Sequence, residues 1–273
     1  MTEAEKQYID LYAEASEAIK EHSAEVMTAV RDRAFEDFRR QGFPTRKVER
    51  YKYTDMEKIF APNYGLNINR IEFPVDPYAA FRCDVPNLST LLYFVVNDAF
   101  YTKRLPNVPE EGVVIGSLRK AAEEHPELIA RYYARIAKTE EDAITALNTM
   151  LAQDGLFIYV PKNVQMEKCV QIINILRADV SMMVNRRVLI VMEEGAKAKF
   201  LFCDHTADDH DFLATQVIEA YVGDNASLDL YCMEETPYKN HRVSNVYIEQ
   251  QRDSRVNHNV ITLHNGVTRN RLD

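Results

Sequence analysis

The densest gathering of chemically useful side chains in this 273-residue chain is Cys203-Asp204-His205-Thr206-Ala207-Asp208-Asp209-His210. Thiolate, imidazole and carboxylate are the usual transition-metal ligands. The stretch therefore reads as a candidate metal loop carried by Cys203, His205 and His210. The competing reading is a polar loop between two strands, with Cys203 buried at the end of the first. A strand puts Cys203 and His205 on one face, whereas His210 has to swing back. A second pair is His258 and His264, which a strand over 256–263 places on one face with Val260 and Thr262. Six positions at ~3.3 Å each set them about 20 Å apart, too far to grip one ion. His241 falls in a turn, and so do Glu234 and Glu235. Glu140, Glu141 and Asp142 mark a helix start, where the dipole favours negative charge. The chain contains no GxGxxG, P-loop, GxSxG or HExxH pattern, so no catalytic or cofactor-binding residue is assigned and the chain is not read as an enzyme.

The elements that must carry these residues fall into two blocks. From Asp154 to Asp273 the chain is run after run of β-type sequence, including 156–160, 170–176 and 188–192. In 196–203, Ala198, Phe200 and Phe202 share one face and Lys197 and Lys199 the other. In 226–232 the apolar face is Ala226, Leu228, Leu230 and Cys232. A period of two is the mark of a half-buried strand. Turn signals separate the runs at Asp154-Gly155, Glu194-Gly195, Gly223-Asp224-Asn225 and Asn265-Gly266. No repeat of fixed length is visible, and the residues alone leave sandwich, barrel and β-helix open.

Residues 1–153 read as a mainly helical domain with a small strand element. Thr2 and Glu5 form a capping box. Tyr8, Tyr12, Ala15, Ile19, His22, Val26 and Val30 then recur at helical spacing, with a break near His22-Ser23 where Ser23 could cap a second helix. Gly42 and Pro44 end this region. Strands are expected over 91–96 and 113–115, and two helical stripes follow, Leu128 to Ile136 and Ile144 to Leu151. Eight of the ten prolines precede residue 154, which places the composition shift, and the boundary, there.

Net charge is −9, with 46% hydrophobic and 27% charged residues. Neither half is basic, which argues against nucleic acid. The acidic start Met-Thr-Glu-Ala-Glu is not a signal peptide, and no apolar run approaches the ~18 residues of a membrane span. Cys83, Cys169, Cys203 and Cys232 lack CxxC spacing and read as buried thiols of a cytoplasmic protein.

Three segments resemble one family. Arg46-Lys47-Val48-Glu49-Arg50-Tyr51-Lys52-Tyr53-Thr54-Asp55 is similar to an R-K-x-E-x-W-[KR]-Y-T segment of the SufB/SufD family, with Tyr51 in place of the common tryptophan. Residues 154–164 (DGLFIYVPKNV) resemble its N-G-x-F-I-x-V-P-x-x-V entry into the β domain, and residues 187–196 (RVLIVMEEGA) its R-x-L-I-V-x-E-x-G-A strand and turn. The resemblance implies an α+β chain: a helical region over 1–153, then a right-handed parallel β-helix over 154–273, against the alternative of an antiparallel β-sandwich. It implies a SufD-like scaffold of the SUF iron–sulfur cluster assembly system, with a SufB-like β-helix protein and a SufC-like ABC ATPase as partners. No cofactor is expected to be tightly bound; an iron–sulfur cluster would pass transiently through the assembled complex. SufD is favoured over SufB because the additional, CxxC-type cysteines of SufB are missing. The family extends beyond residue 273 into an ATPase-docking domain, so the chain is expected to be a fragment whose β domain could also pair with a second copy. The alternatives are a metal-binding or metalloenzyme β domain using the 203–210 loop and a carbohydrate-active β-helix; the absence of a signal peptide disfavours the latter.

Overall fold

The computed structural model describes every residue except 75, 81–89, 109 and 208. Helices α1 (Glu3–Glu21), α2 (Glu25–Thr28), α3 (Arg31–Gln41), α4 (Met56–Phe60) and α5 (Pro77–Ala80) lead into strands β1 (Thr90–Val96), β2 (Ala99–Phe100) and β3 (Val114–Ser117). Helices α6 (Leu118–Glu124), α7 (Pro126–Tyr132) and α8 (Ala143–Leu151) follow. The described elements are then all β: β4 (Leu156–Val160), β5 (Cys169–Leu176), β6 (Met182–Met192), β7 (Lys197–Thr206), β8 (Phe212–Val222), β9 (Ser227–Glu235), β10 (His241–Gln250), β11 (Arg255–His264) and β12 (Thr268–Leu272).

From β4 onward the strands alternate between two six-stranded sheets. Sheet I runs β12-β10-β8-β6-β4-β3, and sheet II runs β11-β9-β7-β5-β1-β2. The β1–β2 and β3–β4 pairs are antiparallel, and the other pairings are parallel. This is a β-solenoid in which each coil lends one strand to each sheet, and the parallel pairing decides for the β-helix over the antiparallel sandwich. Met182 lies beside Phe212, 30 residues on; Leu213 lies beside His241, 28 on; Arg242 lies beside Thr268, 26 on. The coil shortens as it proceeds, which is why no fixed repeat can be read in the sequence. Strands β1, β2 and β3 extend the same two sheets, so the N-terminal part is hydrogen-bonded into the solenoid.

Between the sheets lies an apolar core. Leu156, Val188, Ile218 and Val246 form one inward ladder of sheet I, and Val170, Phe200 and Leu230 form one of sheet II. Part of the far side of sheet II is open, and β7 shows it by exposing Lys197 and Lys199 while burying Ala198 and Phe200; over β5 that side is covered. The middle of sheet I, at β6 and β8, is covered on both sides among the described residues. Met183, Leu213 and Val243 pack with Tyr8, Phe38 and Leu147 of the N-terminal helices, and Phe157, Leu189 and Tyr221 pack with Leu118, Ile129 and Tyr133. Every position of β6 and of β8 is consequently buried.

The helical region obeys most of its local signals. The Thr2–Glu5 capping box forms, with the Glu5 N–H donating to Thr2 Oγ1 at 3.3 Å and the Thr2 N–H to Glu5 Oε2 at 2.7 Å. Gly42, at φ 61°, terminates α3. Ser23 does not cap α2, whose N-cap is Ala24 without a side-chain bond. Its hydroxyl instead accepts from Arg31, a fully buried guanidinium that also donates to the Met150 carbonyl at 3.0 Å. A buried charge must be met by acceptors, and that need outweighs one cap. No helix among the described residues is long and apolar enough to cross a membrane.

Candidate functional site

The residues of the 203–210 loop part company. Cys203 lies on the outward side of β7, fully buried beside Phe94, Ile173 and Ile175. Asp204, one position on, points between the sheets. His205 is half-buried and lines an open cleft with Thr206, Glu235, Thr236, Pro237 and His264. His210 lies beyond the end of β7, half-buried, and Asp208 is outside the described residues. Among the described residues no three His, Cys, Asp or Glu side chains are grouped to hold a metal ion. Of the remaining cysteines, Cys232 is buried and Cys169 half-buried, while Cys83 lies outside the described residues.

His258 and His264 do not share a face. His258 turns inward, its Nε2 4.0 Å from Cys232 Sγ. Thr262 pairs with Glu234, but His264 pairs with Glu235, because a β-bulge absorbs Leu263. The extra residue reverses the alternation and sends His264 outward. His241 begins β10, and its Nδ1 accepts the Val267 N–H at 3.1 Å.

The interior polar cluster is the part that sequence reasoning missed. Asp204 is enclosed by Arg186 (2.7 Å), Arg242 (3.1 Å) and the Asn174 amide (2.8 Å). Burial alone would raise its pKa, but Arg242 and Arg186 hold the carboxyl below the usual carboxylate range. Glu234, expected in a turn, is a wholly buried residue of β9 that pairs with Arg242 and accepts from Thr262 at 2.9 Å and Thr268 at 3.1 Å. Its neighbour Glu235 is the exposed one. The signal available was the alternation itself, which puts Asp204 in step with Phe200 and Phe202, and Glu234 with Leu230 and Cys232.

The segment 46–55 forms a clamp. Tyr51 is buried, and its hydroxyl donates to Asp142 Oδ2 at 2.6 Å. The Arg269 guanidinium lies 3.8 Å from the Tyr51 ring centre and donates to the Arg50 carbonyl at 3.1 Å. Asp142 also caps α8 and receives Arg271 at 3.0 Å. Tyr51 thus ties the helical region to β12. Gly155 permits another close approach, since a Cβ there would stand 2.1 Å from the Arg187 carbonyl oxygen.

A cleft of about 630 Å³ lies between residues 67–73, the β1–β2 turn and α6, with Arg70, Asp98, Arg119 and Asp154 in its wall. Asp154 is buried there, and burial raises its pKa despite Arg70 and the bonds from the Arg119 N–H and Ser117 hydroxyl. Its oxygens accept from the Ser117 hydroxyl at 2.7 Å, the Arg119 N–H at 3.0 Å and the Phe100 N–H at 3.4 Å.

The geometry is a stacked framework with a tied-in helical region. Two family profiles match it end to end: the SufBD protein N-terminal region over residues 2–172, and the SUF system FeS cluster assembly SufBD core domain over residues 174–273. The chain belongs to the SufBD family. It is 28% identical over 185 residues to the iron–sulfur cluster assembly protein SufD of Bacillus subtilis, a match covering 67% of this chain and 41% of that protein. It is 32% identical over 124 residues to a SufBD family protein of Synechocystis, covering 44% of this chain and 25% of the relative. A chloroplastic SufBD protein of Arabidopsis thaliana is 31% identical over 130 residues, 46% of this chain and 23% of the relative. The chain therefore matches less than half the length of each of these SufBD relatives. The segment carrying Tyr51 and that carrying Gly155 both lie within the N-terminal match.

Proposed function

We infer that this SufBD chain is a SufD-like, non-catalytic scaffold of iron–sulfur cluster assembly. The single observation that carries this reading is the pair of SufBD profiles, which account for residues 2–172 and 174–273 in one colinear order. The similarity to SufD of B. subtilis gives it direction. The working arrangement is a complex in the cytoplasm with a SufB-like β-helix protein and a SufC-like ABC ATPase, the cluster being cargo and ATP hydrolysis residing in the partner. The physical character of the chain suits such a part. Buried charges such as Arg187 with Glu219 and Arg242 with Asp204 hold coils and helices together.

The test is affinity capture of the native protein from its own cell extract, with partners identified by mass spectrometry. Co-recovery of a second SufBD protein and an ABC-type ATPase is the expected result. Recovery of neither, from an extract in which both are expressed, would overturn the scaffold reading.

A further inference from the structure

The turn that carries the chain from β11 to β12 holds Asn265-Gly266, the one Asn-Gly pair in the sequence. Such a pair is open to a specific covalent change, because glycine has no side chain to shield its amide nitrogen. That nitrogen, once deprotonated, attacks Asn265 Cγ. The Gly266 N–Cγ bond forms and the Cγ–Nδ2 bond breaks. The proton lost from Gly266 N, returned through solvent, completes the departing ammonia. Water then opens the five-membered imide at either carbonyl, leaving aspartate or isoaspartate, so that asparagine and water have become acid and ammonia. We propose that Asn265 is a deamidation site which the folded turn holds shut, and whose conversion releases β12 from the last coil. The inference does not depend on the scaffold reading.

Three observations carry it. In the first, the reacting atoms are neighbours held in an unreactive arrangement. The Gly266 N–H donates to Asn265 Oδ1 at 2.7 Å and to the Asn240 carbonyl at 3.0 Å. The nitrogen therefore keeps its proton, and that proton, rather than a lone pair, faces the side-chain amide. The leaving group is engaged as well, since Asn265 Nδ2 donates to Thr268 Oγ1 at 2.6 Å. The opposite orientation of the amide would set its NH2 against the Gly266 N–H, donor against donor. Reaction needs Gly266 N freed from Asn240 and the amide swung off Thr268. It therefore proceeds through local opening of the turn.

The second is that the acid does not match the site. Thr268 has one hydroxyl proton, and it goes to Glu234 Oε2 at 3.1 Å. An aspartate at 265 would set a carboxylate oxygen against the lone pairs of Thr268 Oγ1 with no proton between them. The hydroxyl can turn to the new carboxylate only by leaving Glu234. That carboxylate is wholly buried, and its other partners are Arg242, Thr262 and Asn270. Either outcome leaves an acceptor unmet.

The third is space. A Cβ on Gly266 would stand 2.5 Å from the Asn240 carbonyl oxygen, and isoaspartate lengthens the backbone by one carbon next to that contact. The turn is stitched to the start of β10, where the Arg242 N–H donates to the Val267 carbonyl at 2.8 Å and the Val267 N–H to His241 Nδ1 at 3.1 Å. Strand β12 begins two residues after Gly266, so a displaced turn carries the strand with it.

The experiment incubates the 273-residue protein at neutral pH and 37 °C and follows residue 265 by peptide mass mapping. A synthetic peptide of residues 261–269 is the unfolded reference. The folded protein is expected to deamidate at least tenfold more slowly than the peptide, because the rate tracks the population of the open turn. Thr268→Val, which removes the acceptor of Nδ2, should raise the rate severalfold, and Thr268→Ser should restore it. If circular dichroism shows Thr268→Val unfolded, urea below the unfolding transition of the wild type replaces it, and the rate should rise with urea. Asn265→Asp should speed amide hydrogen exchange of residues 268–272 at least tenfold while leaving exchange in β6 unchanged. A folded-protein rate equal to that of the peptide overturns the gate. So does a folded Thr268→Val that reacts as slowly as wild type or, in its place, a rate indifferent to urea. Unchanged exchange of residues 268–272 in Asn265→Asp overturns the release of β12.

Discussion

The two sheets of the solenoid are built from the same coils yet live in different surroundings. Sheet II meets the core on one side. Its other side is open along β9 and the first half of β7, where alternation shows, but covered over β5 by the cluster of Phe94, Ile173, Ile175 and Cys203. Sheet I is covered on both sides, by the same core and by the N-terminal helices, and β6 and β8 are buried at every position. A one-sided sheet can leave its polar residues to water. A two-sided sheet must find protein partners for them, because an unpaired buried polar group costs about 1–3 kcal/mol and a buried charge more. On the helix-covered side of sheet I those partners come from the helical region. Glu219 of β8 is fully buried and accepts the consecutive N–H groups of Ala134, Arg135, Ile136 and Ala137 at 2.9 to 3.2 Å. Its other partner is Arg187 of β6, whose guanidinium also meets Thr149 at 3.1 Å and the Tyr133 ring at 4.8 Å. The helices thus supply sheet I with hydrogen bonds as well as apolar cover.

The comparison breaks most sharply at Glu219. Glu219→Ala leaves the Arg187 charge and four amides without their acceptor, and the expected loss is about 3–5 kcal/mol in the free energy of urea unfolding. Replacing the pair together, Arg187→Met with Glu219→Leu, should recover only part of this, since the four amides stay unpaired. A loss below ~1 kcal/mol for Glu219→Ala would mean that the helical region is held by apolar packing alone.

Second in size is Asp204, which sits between the sheets and serves Arg186 and Arg242 together. Asp204→Asn should cost about 1.5–3 kcal/mol at pH 7, the range for hydrogen bonds to charged groups. The two arginines depress its folded-state pKa despite burial. The stabilisation is therefore fully present above the unfolded-state value of about 3.9 and is lost as pH falls through the folded value. Denaturation midpoints measured from pH 6 down to pH 2 should fall below about pH 4, and the slope there should be shallower in the Asn variant. An unchanged slope would place the acid sensitivity elsewhere.

Third is Gly155, where β4 passes against β6 inside sheet I. A methyl group there meets the Arg187 carbonyl oxygen, a backbone atom that cannot rotate away. Gly155→Ala should destabilise by about 1–3 kcal/mol through overpacking, read as a lowered melting temperature. Edge strand β3 of the same sheet supplies the control: at Gly116 an added Cβ meets nothing within 4 Å, and an alanine there should be tolerated.

The same contrast explains what could be read without the structure. Sheet II was legible, since Ala198, Phe200 and Phe202 against Lys197 and Lys199 carry the alternation openly. Strands β8 and β10 of sheet I were not, because Gln216, Glu219, Arg242 and Asn245 look solvated by residue type and are buried by partners remote in sequence. Asn245, for instance, donates to Asp142, 103 positions earlier. The candidate site followed the same rule. The period of two puts Cys203 and His205 on one side of β7, as the structure has them, but their neighbours on β5 and β9 depend on coil length, which leaves no local mark. Glu234 and Glu235 show how fine the difference is, one at 0% exposure and the next exposed.

The smallest expected effect belongs to the open side of sheet II and is the control for all the others. Lys199 Nζ lies 3.9 Å from Asp229 Oδ2, with the lysine side chain 64% exposed. Coulomb attraction there is weakened by water and by salt, and holding a long side chain in place costs rotamer freedom. Lys199→Ala should therefore change the unfolding free energy by less than ~0.5 kcal/mol. The small difference should shrink further in 1 M NaCl, where screening acts within about 3 Å. Asp229→Ala should behave alike, and the double variant should show no coupling beyond ~0.3–0.5 kcal/mol. A loss above ~1 kcal/mol at Lys199 would show that this side is covered in solution, and a loss that also depends on protein concentration would identify the cover as a second copy of the chain.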